Sequence, residues 1–288
     1  MSSSSKSQRS GPVVLITGCS TGFGRELSLV ALNRNYRVIA TARRLEALAD
    51  LQTAGADTLQ LDVTAPPNQL ATFAEKAWKI HGQIDILINN AGYLLGGAIE
   101  EGTPSEVQAQ YNTNLFGLLN TTNAFLPYFR SKKAGLIVNN SSQGGCLNMA
   151  GAGLYCSTKA AVDSLSDCWS RELKEFGVKC VSIQPGMFRT AASQSSNLHR
   201  GSNRIPSYTL PETVISEYLK ATNTEKGDPA KAAIKIFDFI EANAKEGGVL
   251  PLRLPLGEDA FAQLKQFYEE RLAEMEKFRE WSLGTDFD

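Results

Sequence analysis

Short apolar runs exchange with helix-length segments along almost the whole chain, and that rhythm leaves few folds open. Strand-length runs stand at Val13–Thr17, Arg37–Ala42, Thr58–Leu61, Ile84–Asn89, Leu136–Asn140, Lys179–Gln184 and Val249–Leu254. Between them lie segments with helical spacing, among them Arg25–Leu32, Asn68–Ile80, Ser105–Phe129 and Ala152–Phe176. Strands that alternate with helices build βαβ crossovers and hence a parallel sheet. Val-Val-Leu-Ile at 13–16 and Asp-Ile-Leu-Ile at 85–88 lack polar alternation, as strands covered on both faces do. The pattern predicts an α/β doubly wound domain with a seven-stranded parallel sheet flanked by helices.

At 288 residues, with 42% hydrophobic and 20% charged, the chain has enough apolar material for one large core. No linker or internal repeat divides it, so residues 12–288 are read as a single domain. The serine-rich start has no apolar segment of its own, and residues 1–11 are expected to be a disordered tail. A net charge of -1 offers no electrostatic footprint for nucleic acid, and no run reaches membrane-spanning length. A cytoplasmic protein is expected. Cys19, Cys146, Cys156, Cys168 and Cys180 form no C-x-x-C pair, and only His81 and His199 accompany them. That set predicts reduced thiols packed as small hydrophobes rather than a metal site.

The first run leads directly into Thr17-Gly18-Cys19-Ser20-Thr21-Gly22-Phe23-Gly24, and helical spacing follows. Glycines between a strand and a helix allow a tight turn and a close approach to a pyrophosphate. The helix start then offers N–H groups and the positive end of its dipole. The spacing is G-x-x-x-G-x-G rather than G-x-G-x-x-G.

Six further motifs follow in order: Asp62-Val63, Asn89-Asn90-Ala91-Gly92, Asn114, Ser142, Tyr155-x-x-x-Lys159, and Pro185-Gly186 with Thr190. On these residues the chain resembles the short-chain dehydrogenase/reductase family over nearly its whole length. Its late Pro251–Gly257 run and terminal helix look like the branch containing steroid and retinol dehydrogenase relatives. The resemblance implies a single Rossmann-type domain in which Gly18, Ser20, Thr21, Gly22, Phe23 and Gly24 cradle a nicotinamide dinucleotide. It implies that Asp62 contacts the adenine and that Asn90 and Gly92 line the cofactor cleft. Thr190, beside Pro185 and Gly186, is implied to bond the nicotinamide carboxamide.

In a dinucleotide fold the end of the second strand lies beside the adenosine ribose, where an acid favours a 2′-hydroxyl and an arginine a 2′-phosphate. The second run ends Ala40-Thr41-Ala42-Arg43-Arg44, with Ala42 where NAD-preferring relatives carry Asp. Arg43 therefore predicts NADP(H), by about ten- to hundredfold. Many NADP-preferring relatives add a basic residue in the glycine loop where this chain has Thr21, so the preference rests heavily on Arg43.

Tyr155 and Lys159 stand four apart and project from one helix face. A phenol of pKa about 10 is a poor base at neutral pH, and a neighbouring ammonium is expected to lower that value. Tyr155 is then the general acid in reduction and general base in oxidation. The resemblance implies that Lys159 holds the nicotinamide ribose, that Ser142 bonds the substrate oxygen, and that Asn114 holds a water in a proton relay. Cys156 has no partnered histidine in the sequence and is set aside. His199 is the better of the two histidines for a substrate contact.

The stretch between Thr190 and Thr213, rich in Ser, Asn, Arg and Gly, reads as irregular. The family segment after Pro-Gly makes Met187–Ile215 the expected lid, with a helical extension at 257–281. Tyr93, Leu94, Leu95, Leu147, Met149, Leu154, Met187 and Phe188 are expected around the substrate, a mostly apolar set suited to a hydrophobic ketone, aldehyde or alcohol. The function implied is an NADP(H)-dependent oxidoreductase interconverting carbonyl and alcohol, running as a ketoreductase, and assembled as a homodimer or homotetramer. The alternative is a non-catalytic NADP(H)-binding redox-sensing regulator. Such regulators normally lose the Tyr or the Lys, and this chain keeps both.

Overall fold

β1 (Val13–Ile16) runs through the middle of the sheet, and none of its residues reaches solvent. Val14 and Ile16 join one apolar cluster, Val13 and Leu15 the other. A strand covered on both sides by alternate residues needs no polar face, which is why its sequence shows none. The computed structural model describes residues 9–190, 198–221, 223–244 and 248–287.

In chain order the other strands are β2 (Arg37–Ala42), β3 (Asp57–Gln60), β4 (Ile86–Asn89), β5 (Leu94–Gly96), β6 (Gly135–Asn140), β7 (Val178–Pro185), β8 (Leu198–Arg200) and β9 (Arg253–Leu256). Of these nine strands among the described residues, seven form one parallel sheet in the order β3-β2-β1-β4-β6-β7-β9. The expected seven-stranded doubly wound architecture is therefore present. α1 (Gly22–Asn33), α2 (Ala49–Thr53) and α9 (Pro229–Asn243) cover one face through Leu27, Ala31, Leu51, Ile236 and Phe237. α3 (Pro67–His81), α5 (Gly117–Lys132) and α7 (Gly153–Glu172) cover the other through Ala74, Ala77, Phe125, Phe129, Val162 and Trp169. The winding reverses between β1 and β4. Open α/β sheets bind ligands in the crevice beyond the strand ends at such a point.

Three expectations need correction. The single helix over Ser105–Phe129 is broken into α4 (Pro104–Tyr111), a π turn at Asn112–Phe116, and α5. α4 starts at a capping box, in which the Thr103 hydroxyl accepts the Glu106 N–H and the Glu106 carboxylate accepts the Thr103 N–H. The last strand is Arg253–Leu256 rather than Val249–Leu254, and Val249 stays exposed. β9 is an edge strand, where Pro255 is tolerated, so the apolar run alone could not fix which residues pair with β7.

The stretch between Thr190 and Thr213, read as irregular, contains β8 and the start of α8 (Thr209–Lys220). β8 pairs in parallel with β5, Leu94 opposite Leu198 and Gly96 opposite Arg200. Residues 191–197 of the expected lid and 1–8 of the expected tail lie outside the described residues. Arg9, also expected in the tail, donates to the carbonyls of Leu32, Ala54 and Gly55. The chain ends in α10 (Glu258–Lys277) and a short turn at Arg279–Trp281. Among the described residues no helix is long and apolar enough to cross a membrane.

Candidate active site

The turn from β1 into α1 folds back on itself in a way only glycine permits. Gly18 has φ +71°, and a Cβ there would lie 2.8 Å from the Cα of Ala91. A Cβ on Gly24 would lie 2.3 Å from the Gly18 carbonyl oxygen. α1 starts after Thr21 with no side-chain cap and no acid in its first turn. Gly22 and Phe23 line the cleft there, so the first turn of the helix meets it with no acid of its own. These features fit the pyrophosphate of a dinucleotide.

The cleft has a volume of about 750 Å³ and lies beyond the C-terminal ends of β1 and β4. Gly18, Ser20, Thr21, Gly22, Phe23, Arg43, Asp62, Asn90, Gly92, Ser142, Tyr155, Lys159, Pro185, Gly186 and Thr190 all border it. Of the residues expected to hold the cofactor or act in catalysis, Gly24 and Asn114 stand behind the lining. Gly24 packs under Gly18, and Asn114 is 1% exposed.

Asn90 braces the cradle. Its Nδ2 donates to the carbonyls of Thr17 and Gly18, both at 3.0 Å, and its Oδ1 accepts Asn140 Nδ2 at 2.9 Å. Neighbouring Asn89 is buried and tied to Thr122 and Asn139. Asp62 borders the cleft, but its carboxylate accepts from the N–H and hydroxyl of Thr64 at 2.9 and 2.7 Å. Arg43 is exposed at the end of β2, with its carbonyl held by Gln60.

Tyr155 and Lys159 rise from one face of α7, and the Lys159 ammonium lies 5.6 Å from the Tyr155 ring centre. Lys159 Nζ donates to the Asn140 carbonyl at 2.7 Å. Ser142 follows β6, and its Oγ accepts the Gly144 N–H at 3.0 Å, which leaves the hydroxyl hydrogen to donate elsewhere. Asn114 sits within the π turn, a feature that often marks functional sites. Its Oδ1 accepts the Tyr93 N–H at 3.0 Å and its Nδ2 donates to the Tyr93 carbonyl at 2.8 Å.

Burial governs the ionisation of this group. It pushes the Tyr155 phenol up, opposed by a hydrogen bond with Ser142, where the neighbouring ammonium had been expected to bring it down. It pushes the Lys159 ammonium down to about 8, opposed by the charge of Asp163. Desolvation disfavours the charged form of both. Tyr155 is therefore held as a neutral phenol, the form that can give a proton.

On the far side, Tyr93, Leu94, Leu95, Met149, Met187 and Phe188 line the cleft as expected. Leu147 and Leu154 do not. Leu147 borders a separate groove with Phe267, and Leu154 packs toward Gly102. Phe188 meets Phe23 edge-on at 5.1 Å between ring centres, which joins the wall after Pro185-Gly186 to the glycine loop. His199 lines the cleft and meets Tyr93 edge-on at 5.0 Å. Glu106, Arg200 and Tyr218 also line it and were missed. The helical spacing of Ile215, Tyr218 and Leu219 was the available signal for α8, which carries Tyr218 onto Leu94 and Leu198.

Comparison with known proteins identifies the family. A family model described as short chain dehydrogenase matches residues 12–201. An oxidoreductase of Botryotinia fuckeliana, BOA17, is 33% identical over 275 residues, covering 94% of this chain and 97% of that protein. A 3-ketodihydrosphingosine reductase of Bacteroides thetaiotaomicron is 35% identical over 189 residues, covering 65% of this chain and 67% of that protein. A crystal structure of a short-chain dehydrogenase from Streptomyces avermitilis superposes with TM-score 0.85 at 36% identity, covering 96% of this chain and 99% of that one. The chain belongs to the short-chain dehydrogenase family of oxidoreductases.

Proposed function

We propose that the protein is an NADP(H)-dependent ketoreductase of hydrophobic carbonyl compounds, with Asn114, Ser142, Tyr155 and Lys159 as its catalytic group. The observation that carries this reading is the convergence of Ser142, Tyr155 and Lys159 on the cleft bordered by the glycine loop.

Bound NADPH would supply the hydride. Ser142 donates its hydroxyl hydrogen to the substrate oxygen and holds it beside the Tyr155 phenol. As negative charge grows on that oxygen, Tyr155 Oη gives it a proton. Lys159 stabilises the phenolate left behind by its charge and would hold the nicotinamide ribose. Asn114, fastened to both backbone groups of Tyr93, keeps the π turn in place behind Lys159 and is the proposed holder of a relay water.

Arg43 supports the choice of NADP(H), since β2 ends without an acid and its guanidinium stands at the cleft. Leu94, Leu95, Met149, Met187, Phe188 and Tyr218 support a hydrophobic substrate. The likeness to a 3-ketodihydrosphingosine reductase supports a ketone as its oxidised form. The proposed assembly is a homodimer or homotetramer, read by light scattering. The test of function is NADPH consumption against a panel of apolar ketones and aldehydes, with Tyr155→Phe as control. Turnover by the wild type and none by Tyr155→Phe supports the reading. Tight NADPH binding with no turnover of any carbonyl overturns it in favour of a redox-sensing regulator.

A further inference from the structure

Asp163 lies one turn beyond Lys159 on α7, on the same helix face, and is 0% exposed. Its Oδ1 accepts the Ser182 hydroxyl at 2.5 Å, and its Oδ2 accepts Gln184 Nε2 at 2.7 Å, both from β7. Arg253 of β9 stands 4.0 Å from Oδ2, but its shorter pairing, 2.6 Å, is with Asp167. Gly145 of the short helix α6 (Gly144–Leu147) passes so close that a Cβ there would lie 2.9 Å from Oδ2. A carboxylate taken this far from water carries a large desolvation cost, and neutral donors repay only part of it.

The same turn of α7 holds Lys159. The Ser141 hydroxyl donates to the Lys159 carbonyl at 3.1 Å, and the ammonium reaches the neutral carbonyl of Asn140. Lys159 is 5% exposed, so water does little for its charge. The ionisable groups around this pair come from five elements. Tyr155 and Asp167 lie on α7 itself. Cys146 of α6 and Tyr268 of α10 meet near Gln184 and Arg253, and Tyr218 of α8 stands beside Tyr155. Asp167 is engaged by Arg253, which leaves Asp163 as the acid whose charge is set against Lys159.

We propose that Asp163 is a positioning residue, the buried counter-charge that keeps Lys159 in its ammonium form. The inference rests on the proposed ketoreductase chemistry only for the use made of that ammonium. Burial already draws Lys159 down to about 8, with Asp163 opposing the fall. Removing the carboxylate lets desolvation act alone, so the ammonium loses its proton at lower pH. A role in packing alone would depress stability or activity at every pH and leave the titration where it was.

The test is a titration of protein labelled with ¹³Cε-lysine, followed by NMR, with the Lys159 signal assigned by its loss in Lys159→Met. Asp163→Asn should lower the Lys159 midpoint by about one unit, a tenfold change in its proton affinity. The alkaline limb of kcat/KM should move down with it. Ser182→Ala, which removes a donor but keeps the carboxylate, should leave the midpoint in place. Asp163→Ser replaces the Asn variant if that one does not fold. An unmoved midpoint in the Asp163 variant, or an equal shift in Ser182→Ala, overturns the assignment. The titration is read on the protein alone, so failure to reduce any carbonyl would sink the proposed function without touching this result.

Discussion

Glu101, 1% exposed, accepts the main-chain N–H of Ile205 at 2.8 Å, and so ties the segment after β8 to the segment after β5. Its carboxylate also accepts the Ala98 N–H at 2.8 Å and pairs with Arg204 at 3.2 Å. Glu106 adds the hydroxyl and N–H of Ser202, and Tyr208 donates to Glu100 at 2.7 Å. Three acids on one segment therefore hold the wall of the cleft that carries His199 and Arg200.

This clasp should loosen in acid. The Ile205 N–H holds the Glu101 carboxyl below its usual range, and the Ser202 hydroxyl helps bring Glu106 down to about 2. A folded-state pKa below the unfolded one means that the folded protein binds fewer protons. The stabilisation is thus complete above about pH 5 and lost as pH falls toward about 2. Hydrogen exchange at residues 201–205 should quicken over that window before the central strands respond. Glu101→Gln, which turns an acceptor of two N–H groups into a partial donor, should cost about 2–4 kcal/mol by denaturant unfolding.

Tyr155→Phe removes the proton donor while keeping the ring that packs beside Leu94, Leu198 and Ile215. Its kcat should fall by about 10²–10⁴-fold, with NADPH affinity kept within about threefold. Stopped-flow reduction and nucleotide fluorescence measure the two separately. A comparable loss of both would mean that Tyr155 acts through binding rather than proton transfer.

Arg43→Asp places an acid where β2 ends. The kcat/KM ratio for NADPH over NADH should fall by about ten- to hundredfold, from the lost phosphate contact. An unchanged ratio would remove Arg43 from the specificity argument.

Gly24→Ala sets a Cβ against the Gly18 carbonyl and Asn90 Nδ2, at 2.3 and 2.5 Å before any shift. The loop must open, at a cost of about 1–3 kcal/mol in stability. NADPH affinity should fall by about tenfold or more in calorimetry, since the cradle and its Asn90 brace move together. Unchanged affinity would show that the tight turn is not needed for the cofactor.

The frame of this protein was legible in its residues because it rests on short-range chemistry. Val13–Ile16 and Ile86–Asn89 announce doubly buried strands by composition alone, and Gly18, Gly22 and Gly24 mark a turn that other residues cannot make. Tyr155 and Lys159 share a face through helix geometry. Boundaries were weaker where two states compete. Val249–Leu254 is apolar enough for a strand, but its start stays exposed and pairing begins at Arg253.

What the tertiary structure decided is which side chains meet the cleft and which charges face each other inside. Leu147 and Leu154 sit near Tyr155 in sequence yet turn away, while Tyr218 arrives on α8, packed where β5 meets β8. Asn114 is withdrawn from the lining by a π turn that the helical pattern of 105–129 did not betray. Asp163 reads as one more polar residue on an amphipathic helix until β7 and α6 close over it beside Lys159. Periodicity and turn chemistry act between near neighbours and are written in order along the chain. Burial and opposing charge arise only when distant segments pack, so they belong to the fold.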